Sequence, residues 1–410
     1  MKPLLRTHYV VTRRRRSSPT ICLLSMILIV LVTVMKLKEM LITFDRLEAQ
    51  RKKLENGSHQ NMYTPSPTRS ETVFGTTNRT RYPVRSKMGS CPATFGKITV
   101  FIAYQGSALK DHAIAQNTLK CYLKGTTYKL VTVDVDKDRT VNDKCSKHQN
   151  FFFKRHCAAM VYLQQTDWML VLETDIGVVN PNHCIEEWID DRVKVILYER
   201  FINGEISPVS YMVRNTHYAM EFLQKWANME FSAENSPSVV DKGALQIHVM
   251  KSVIPDAVQN AENCAAMLVD VNNYDTYFSY VSCVKQGLGA TKIWPKKIRI
   301  LRRAHAWVRD GSLSENRWSD VDFMFHGWRG NSVRVGNAPF EEMLELKKCG
   351  EGEEAWKWKR GSHVPVVQIK EKLIEFERTF AEKYPKQATD VTWLKMPDVK
   401  KCYPHCDTMG

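Results

Sequence analysis

The sequence predicts an α/β domain with a largely parallel sheet, carried behind an N-terminal membrane anchor and a polar stem. Three observations point there. A charge-free aliphatic run follows a cluster of cations near the N-terminus, a stretch rich in Ser, Thr, Pro and Asn comes next, and from residue 97 short apolar segments alternate with helix-length ones. Strands separated by helices form parallel sheets because a parallel crossover needs a dozen or more residues. With 410 residues, 43% hydrophobic and 25% charged, the chain has the balance of a folded protein and the length for a sizeable core.

Residues 1–16 read as a cytoplasmic tail: Lys2, Arg6, Arg13, Arg14, Arg15 and Arg16 crowd it with no acid among them. The net charge of +15 would on its own suit nucleic acid. No zinc-finger spacing, RNA-binding aromatic motif or basic heptad accompanies it, so no nucleic-acid partner is expected. The cations instead mark the side of the membrane on which the N-terminus stays.

Ser17 to Met35 holds no charged residue, and Ile21 to Met35 is almost wholly aliphatic. As a helix that run spans about 28 Å, close to the hydrocarbon thickness of a bilayer. Thr33-Val34-Met35-Lys36 lacks the small residues of a cleavage site, so residues 17–35 are expected to be an uncleaved signal anchor of a single-pass type II protein. Everything after about residue 36 is then luminal. Of eleven cysteines only Cys22 falls in the anchor, and the other ten are expected to pair in an oxidising lumen, with connectivity open. The Cys145/His148, His156/Cys157 and Cys402/His405/Cys406 groups lack a structural-zinc spacing and are read as disulfide cysteines too.

Residues 36–96 form the stem. Leu37, Met40, Phe44, Leu47 and Leu54 fall at alternating three- and four-residue steps, which suits either a short coiled coil, giving a homodimer through the stem, or an extension of the anchor helix. From Asn56 to Ser90 the composition is that of a linker. Its two sequons make Asn56 and Asn78 candidate glycosylation sites.

The domain, 97–345, opens with a buried strand at Ile98 to Tyr104 and a helix at Ala108 to Leu123. A strand at Tyr128 to Val135, a helix at Phe153 to Gln164 and a strand at Trp168 to Leu172 follow. Further strands are expected at Val193 to Leu197 and Pro208 to Val213 around a turn at Asn203-Gly204, then a helix at His217 to Met229. Residues 346–410 read as a charged, helix-prone C-terminal extension ending in Cys402 and Cys406.

Ligands of open α/β sheets sit beyond the carboxyl ends of the strands. Among three acid-x-Asp pairs, at 134/136, 173/175 and 320/322, only Glu173-Thr174-Asp175 follows a strand of large apolar residues and precedes a second apolar stretch. Two carboxylates at such an exit can hold a divalent cation through hard oxygen ligands, and the cation can neutralise a diphosphate.

The stretches Lys154 to Pro181, Asp241 to Val249 and Ala306 to Gly330 carry a resemblance. From about Lys97 to Asn331 the chain resembles a nematode-expanded, uncharacterised family of type II membrane glycosyltransferases. That family is distantly similar to Golgi α-galactosyl- and α-mannosyltransferases of the GT-A fold. The resemblance implies a GT-A-like (Rossmann-like) domain in a Golgi membrane, a nucleoside diphosphate sugar as donor, a glycan acceptor, Mn2+ as cofactor and a retaining reaction. It places Glu173, Asp175 and His326 on the metal and Arg329, beside Trp328, on the diphosphate. Ala103, Tyr104 and Asp136 fall where the nucleoside binds, and Lys154 and Arg155 where the diphosphate or sugar does, unless these two only begin a solvated helix. Asp241 resembles the acid facing the reacting sugar, or else caps a helix over Gly243 to Met250. Glu173 stands where the family has Asp, which shifts the carboxylate by about 1.5 Å and tests whether turnover survives. The rival reading is a catalytically silent, membrane-tethered lectin-like or scaffold protein.

Overall fold

The computed structural model describes residues 91–232, 240–330, 338–350, 352–384 and 399–408. The tail, the anchor and nearly all of the stem, with Cys22, Asn56 and Asn78, lie outside these. Among the described residues no helix is long and apolar enough to cross a membrane.

A central seven-stranded sheet runs in the order β2-β1-β3-β6-β5-β8-β7. The strands are β1 (Ile98–Tyr104), β2 (Lys129–Asp134), β3 (Trp168–Leu172), β5 (Val195–Tyr198), β6 (Ser210–Arg214), β7 (Ile293–Trp294) and β8 (Ile298–Leu301). A small sheet, β4-β10-β9, is built from β4 (Ile176–Val178), β9 (Val308–Asp310) and β10 (Met324–His326). The large sheet is mixed, not largely parallel. β1 pairs in parallel with β2 and β3, and β5 with β8. β6 runs antiparallel to both β3 and β5, and β7 to β8. The reason is the short turn around Gly204, which joins β5 to β6 without a crossover and so reverses the chain.

Strand periodicity explains the core. Along β3, Met169 and Val171 enter one apolar cluster while Trp168, Leu170 and Leu172 enter the other, so the strand is buried on both faces and reads as a continuous apolar run. Truncating a residue such as Leu170 to Ala would cost about 2–5 kcal/mol.

One face is covered by α3 (Phe151–Leu163), α4 (His217–Asn228), α5 (Val240–Val253), α6 (Val258–Val269) and α7 (Tyr274–Leu288). The other carries α1 (Ala113–Lys124) and the small sheet. Between β2 and α3 lies α2 (Arg139–Cys145), begun by Asp138, whose side chain accepts from the Val141 amide. Asn150 and Thr216 start α3 and α4 in the same way. The helix expected from Ala108 is broken: Ala108–Asp111 is a separate turn, and His112 leaves helical geometry before α1 begins.

Among the described residues of the expected C-terminal extension, the long helix is α8 (Val366–Lys383), and a short helical turn follows at Val399–Cys402. Residues 338–350 and 352–358 instead pack into the domain core through Phe340, Leu344 and Trp356. Gly350 and Gly352, both at positive φ, interrupt any helix there. All ten described cysteines pair, as Cys91–Cys184, Cys121–Cys349, Cys145–Cys157, Cys264–Cys283 and Cys402–Cys406.

Candidate functional site

β3 delivers Glu173 and Asp175 to the carboxyl edge of the large sheet. The turn that holds them is pinned from α1 and the residue before it: Gln116 donates to the Thr174 carbonyl at 2.7 Å, and His112 Nδ1 lies 2.7 Å from the Thr174 hydroxyl. That contact is made by the residue at which the helix breaks. β4 begins immediately after Asp175, and antiparallel pairing sets Ile176 opposite His326 at the end of β10. The register itself therefore brings the imidazole to the two carboxylates.

One ligand atom each of Glu173, Asp175 and His326 lies within 4.8 Å of the others. His326 Nε2 is 3.6 Å from Asp175 Oδ2 and 3.8 Å from Glu173 Oε2, too long for hydrogen bonds. Asp175 Oδ1 and His326 Nε2 are both buried without a hydrogen-bond partner. A buried polar atom left unpaired costs about 1–3 kcal/mol, so two such atoms within this one group suit a shared ligand. Two carboxylates and one imidazole form a set suited to a divalent cation such as manganese or magnesium. Among the described residues the other group with metal-like composition, Cys91, Cys184 and Glu186, has both cysteines in a disulfide.

His326 donates or accepts at Nδ1 with Asp310 Oδ1, 2.7 Å away. Burial opposes charging of His326, but the Asp310 contact and the Asp175 charge outweigh it and raise its pKa. Burial would likewise raise the Asp310 pKa. Its partners His326 and Arg200 prevail and hold it far below the usual carboxylate range.

Arg155 is buried, and its guanidinium joins the acids. It donates to Glu173 Oε1 at 2.5 Å, to Asp241 Oδ2 at 2.6 Å and to the Pro208 carbonyl at 3.2 Å. Burial disfavours its charge, but Asp241 and Glu173 more than compensate, so its pKa is raised. Asp241 sits inside the first turn of α5 and is buried, so it is not a helix cap. Its Oδ2 also lies 3.1 Å from His156 Nε2, and His156 stacks on Trp226. Burial, first of all, lowers the His156 pKa to about 4. Burial raises and Arg155 lowers the Asp241 pKa, with a net lowering.

The other predicted residues fall into two groups. Arg329 is exposed at the rim and reaches Asp175 Oδ2 with Nε at 3.1 Å. The Trp328 backbone donates to the Asp175 carbonyl at 3.1 Å. Its indole, expected at the donor, is instead fully buried against Gly177, where a Cβ would come within 2.4 Å of the ring. Ala103 and Tyr104 end β1, and Tyr104 is in register with Asp134. Beyond them Asp136 accepts from Gln105 at 2.8 Å and lies 3.8 Å from Lys154.

Sequence reasoning missed four contributors. His112 and Gln116, four apart on one helix face, were a readable signal. The Arg155 bridge and Asp310 had none, because each depends on partners 86 and 16 residues away.

A family model described as "Protein of unknown function, DUF273" matches residues 119–340. No curated protein matches the chain. Among the solved structures that are similar in part, two are glycosyltransferases. One is a glycosyltransferase involved in the glycosylation of the major capsid of PBCV-1, with 17% identity over 33% of this chain and 68% of that chain, at a TM-score of 0.25. The other is the apo-form glycosyltransferase GlyE of Streptococcus pneumoniae TIGR4, with 13% identity over 49% and 65%, at a TM-score of 0.27. Overlaps of that size define neither the fold nor the activity of this chain.

Proposed function

The chain belongs to DUF273, a family of proteins of unknown function, and from that premise we propose that it is a metal-dependent glycosyltransferase with a GT-A-like domain. In this reading it transfers a hexose from a nucleoside diphosphate sugar to a glycan hydroxyl. The observation that carries it is the convergence of Glu173, Asp175 and His326 at the carboxyl edge of the sheet, with Asp175 Oδ1 and His326 Nε2 buried and unpartnered.

A manganese ion bound there would supply positive charge against the departing diphosphate. Arg329, largely exposed beside Asp175, adds a guanidinium that can turn to a phosphate oxygen. Arg155 holds the Glu173 and Asp241 carboxylates in place, so their orientation is set before the reaction. Asp241 acts on the site through that guanidinium. The Trp328 ring packs directly against Gly177, in the strand that leaves the turn. The polar group of Gln105, Asp136 and Lys154 beyond β1 and β2 suits the nucleoside, with the Ala103 and Tyr104 backbone beside it. The retaining outcome rests on the family resemblance alone.

The proposed setting is the secretory pathway, with residues 17–35 as the anchor and Asn56 and Asn78 glycosylated. Protease treatment of sealed microsomes should then remove only the N-terminal tail. The activity is tested by a donor-hydrolysis screen across nucleotide sugars with and without manganese. Manganese-dependent hydrolysis of one donor supports the reading. Metal-dependent nucleotide binding without turnover of any donor would mark a silent, lectin-like relative, and no nucleotide binding at all would reject both.

A further inference from the structure

Asp310 falls within the Ala306 to Gly330 stretch but was given no role there, yet the fold holds it against the metal-facing histidine. β9 and β10 are parallel neighbours with Asp310 and His326 directly in register, so the contact is set by the sheet and not by a loop. Asp310 Oδ1 is 2.7 Å from His326 Nδ1. An ionised carboxylate only accepts, so Nδ1 must carry the proton. In the neutral ring this leaves Nε2 as a lone pair, aimed at Asp175 and Glu173. Free histidine in water prefers the opposite tautomer, with its proton on Nε2, which cannot ligate.

Asp310 is itself fixed from elsewhere. Arg200 grips both of its oxygens, NH2 to Oδ1 at 2.7 Å and Nε to Oδ2 at 3.4 Å. The third guanidinium nitrogen lies 3.3 Å from Glu205 Oε1, and the Tyr277 hydroxyl of α7 donates to the other oxygen of Glu205. The turn between Arg200 and Glu205 closes on itself: the Arg200 amide donates to the Glu205 carbonyl at 2.8 Å, and the Gly204 amide to the Arg200 carbonyl at 3.0 Å. Gly204 sits at a φ of 68°, a conformation glycine adopts without strain.

We infer that Asp310 is a positioning residue that fixes His326 in the Nδ1–H tautomer with Nε2 facing the metal, and that Arg200 locks Asp310 in that task. The inference rests on the proposed reading of the Glu173, Asp175 and His326 site. A carboxylate behind a ligating imidazole sets its tautomer and orientation and raises its basicity, and losing such a partner weakens metal binding about 10- to 100-fold.

The test has two independent readouts on the full chain. The first is nitrogen-15 NMR of the histidine rings of metal-free protein at alkaline pH, with His326 assigned by its loss in His326→Gln. The expected result is a proton on Nδ1 of His326; a proton on Nε2 overturns the inference whether or not the protein binds metal. The second is manganese affinity, measured by paramagnetic resonance without nucleotide. Asp310→Ala should weaken binding by about 10- to 100-fold and release the tautomer. Asp310→Asn retains an acceptor oxygen, so it should keep the tautomer and most of the affinity; equal loss in Asn and Ala would mean that charge alone matters and would overturn the positioning role. Should Asp310→Ala fail to fold, the wild-type tautomer and the Asn variant decide. Wild-type protein that binds no manganese but shows the Nδ1–H tautomer would reject the metal site and keep the Asp310 contact.

Discussion

Arg155 donates to Glu173 at 2.5 Å and to Asp241 at 2.6 Å, so a single buried guanidinium ties the first acid of the Glu-x-Asp turn to the first turn of α5. A carboxylate on a side chain one methylene shorter could not hold that contact without moving the turn. The glutamate at 173, where the resembled family has aspartate, is thus matched to an arginine that sequence reading had assigned to the donor.

Glu173→Asp should therefore weaken the protein and not improve it. Retraction by about 1.5 Å breaks a charge-assisted hydrogen bond worth about 1.5–3 kcal/mol, reduced here because Glu173 is a quarter exposed. Denaturant unfolding should show a loss of about 1–2 kcal/mol, and manganese-dependent donor hydrolysis should fall. An aspartate variant at least as stable and more active would mean that the arginine contact is incidental.

Acid should destabilise the fold through buried neutral histidines. Burial lowers the His248 pKa from 6.5 to about 4, with Nε2 donating to the Phe222 carbonyl at 2.9 Å, and His156 is shifted alike. A base with a depressed folded pKa stabilises above its unfolded value, and that stability is lost as pH falls toward the folded one. Each therefore withdraws up to about 3 kcal/mol as pH drops from about 6.5 to about 4. His183 and His326, both raised, act in the opposite sense. His248→Gln isolates one term: its unfolding free energy should decline less steeply than wild type over that window. Parallel curves would show that His248 is protonated without penalty.

The cysteine pairing predicts one titratable thiol in the denatured, unreduced chain. Ten of eleven cysteines are bonded, which leaves Cys22. Cys121–Cys349 closes a loop across 228 residues, so replacing both with Ala should cost about 2–5 kcal/mol of unfolding free energy. Several free thiols in the unreduced protein would contradict the pairing.

Much of this was legible where the signal is local. β1 and β3 match their expected bounds residue for residue, because continuous apolar runs between turns leave little choice. The Glu173, Asp175 and His326 trio followed from a motif and a resemblance. The mixed sheet was not legible, since β5 and β6 read the same in either direction and only Gly204 hinted at the reversal. Neither α6 nor α7 was foreseen, although Asn273 and Thr276 form a reciprocal capping box at the start of α7. Trp328 and Arg155 were both placed at the donor by resemblance, whereas burial gives one to the core and the other to two carboxylates. Burial is decided by the whole fold, and no window of sequence contains it.

The central claim is that Asp175 and His326 share a divalent cation that supports a nucleoside diphosphate, and the most direct test is calorimetric titration of uridine and guanosine diphosphate with and without manganese. Wild-type protein should bind one of them only when manganese is present. Asp175→Asn and His326→Ala should abolish that binding while moving the metal-free thermal midpoint by a few degrees at most. Nucleotide binding that is unchanged in both variants, or that proceeds equally well without manganese, would contradict the account.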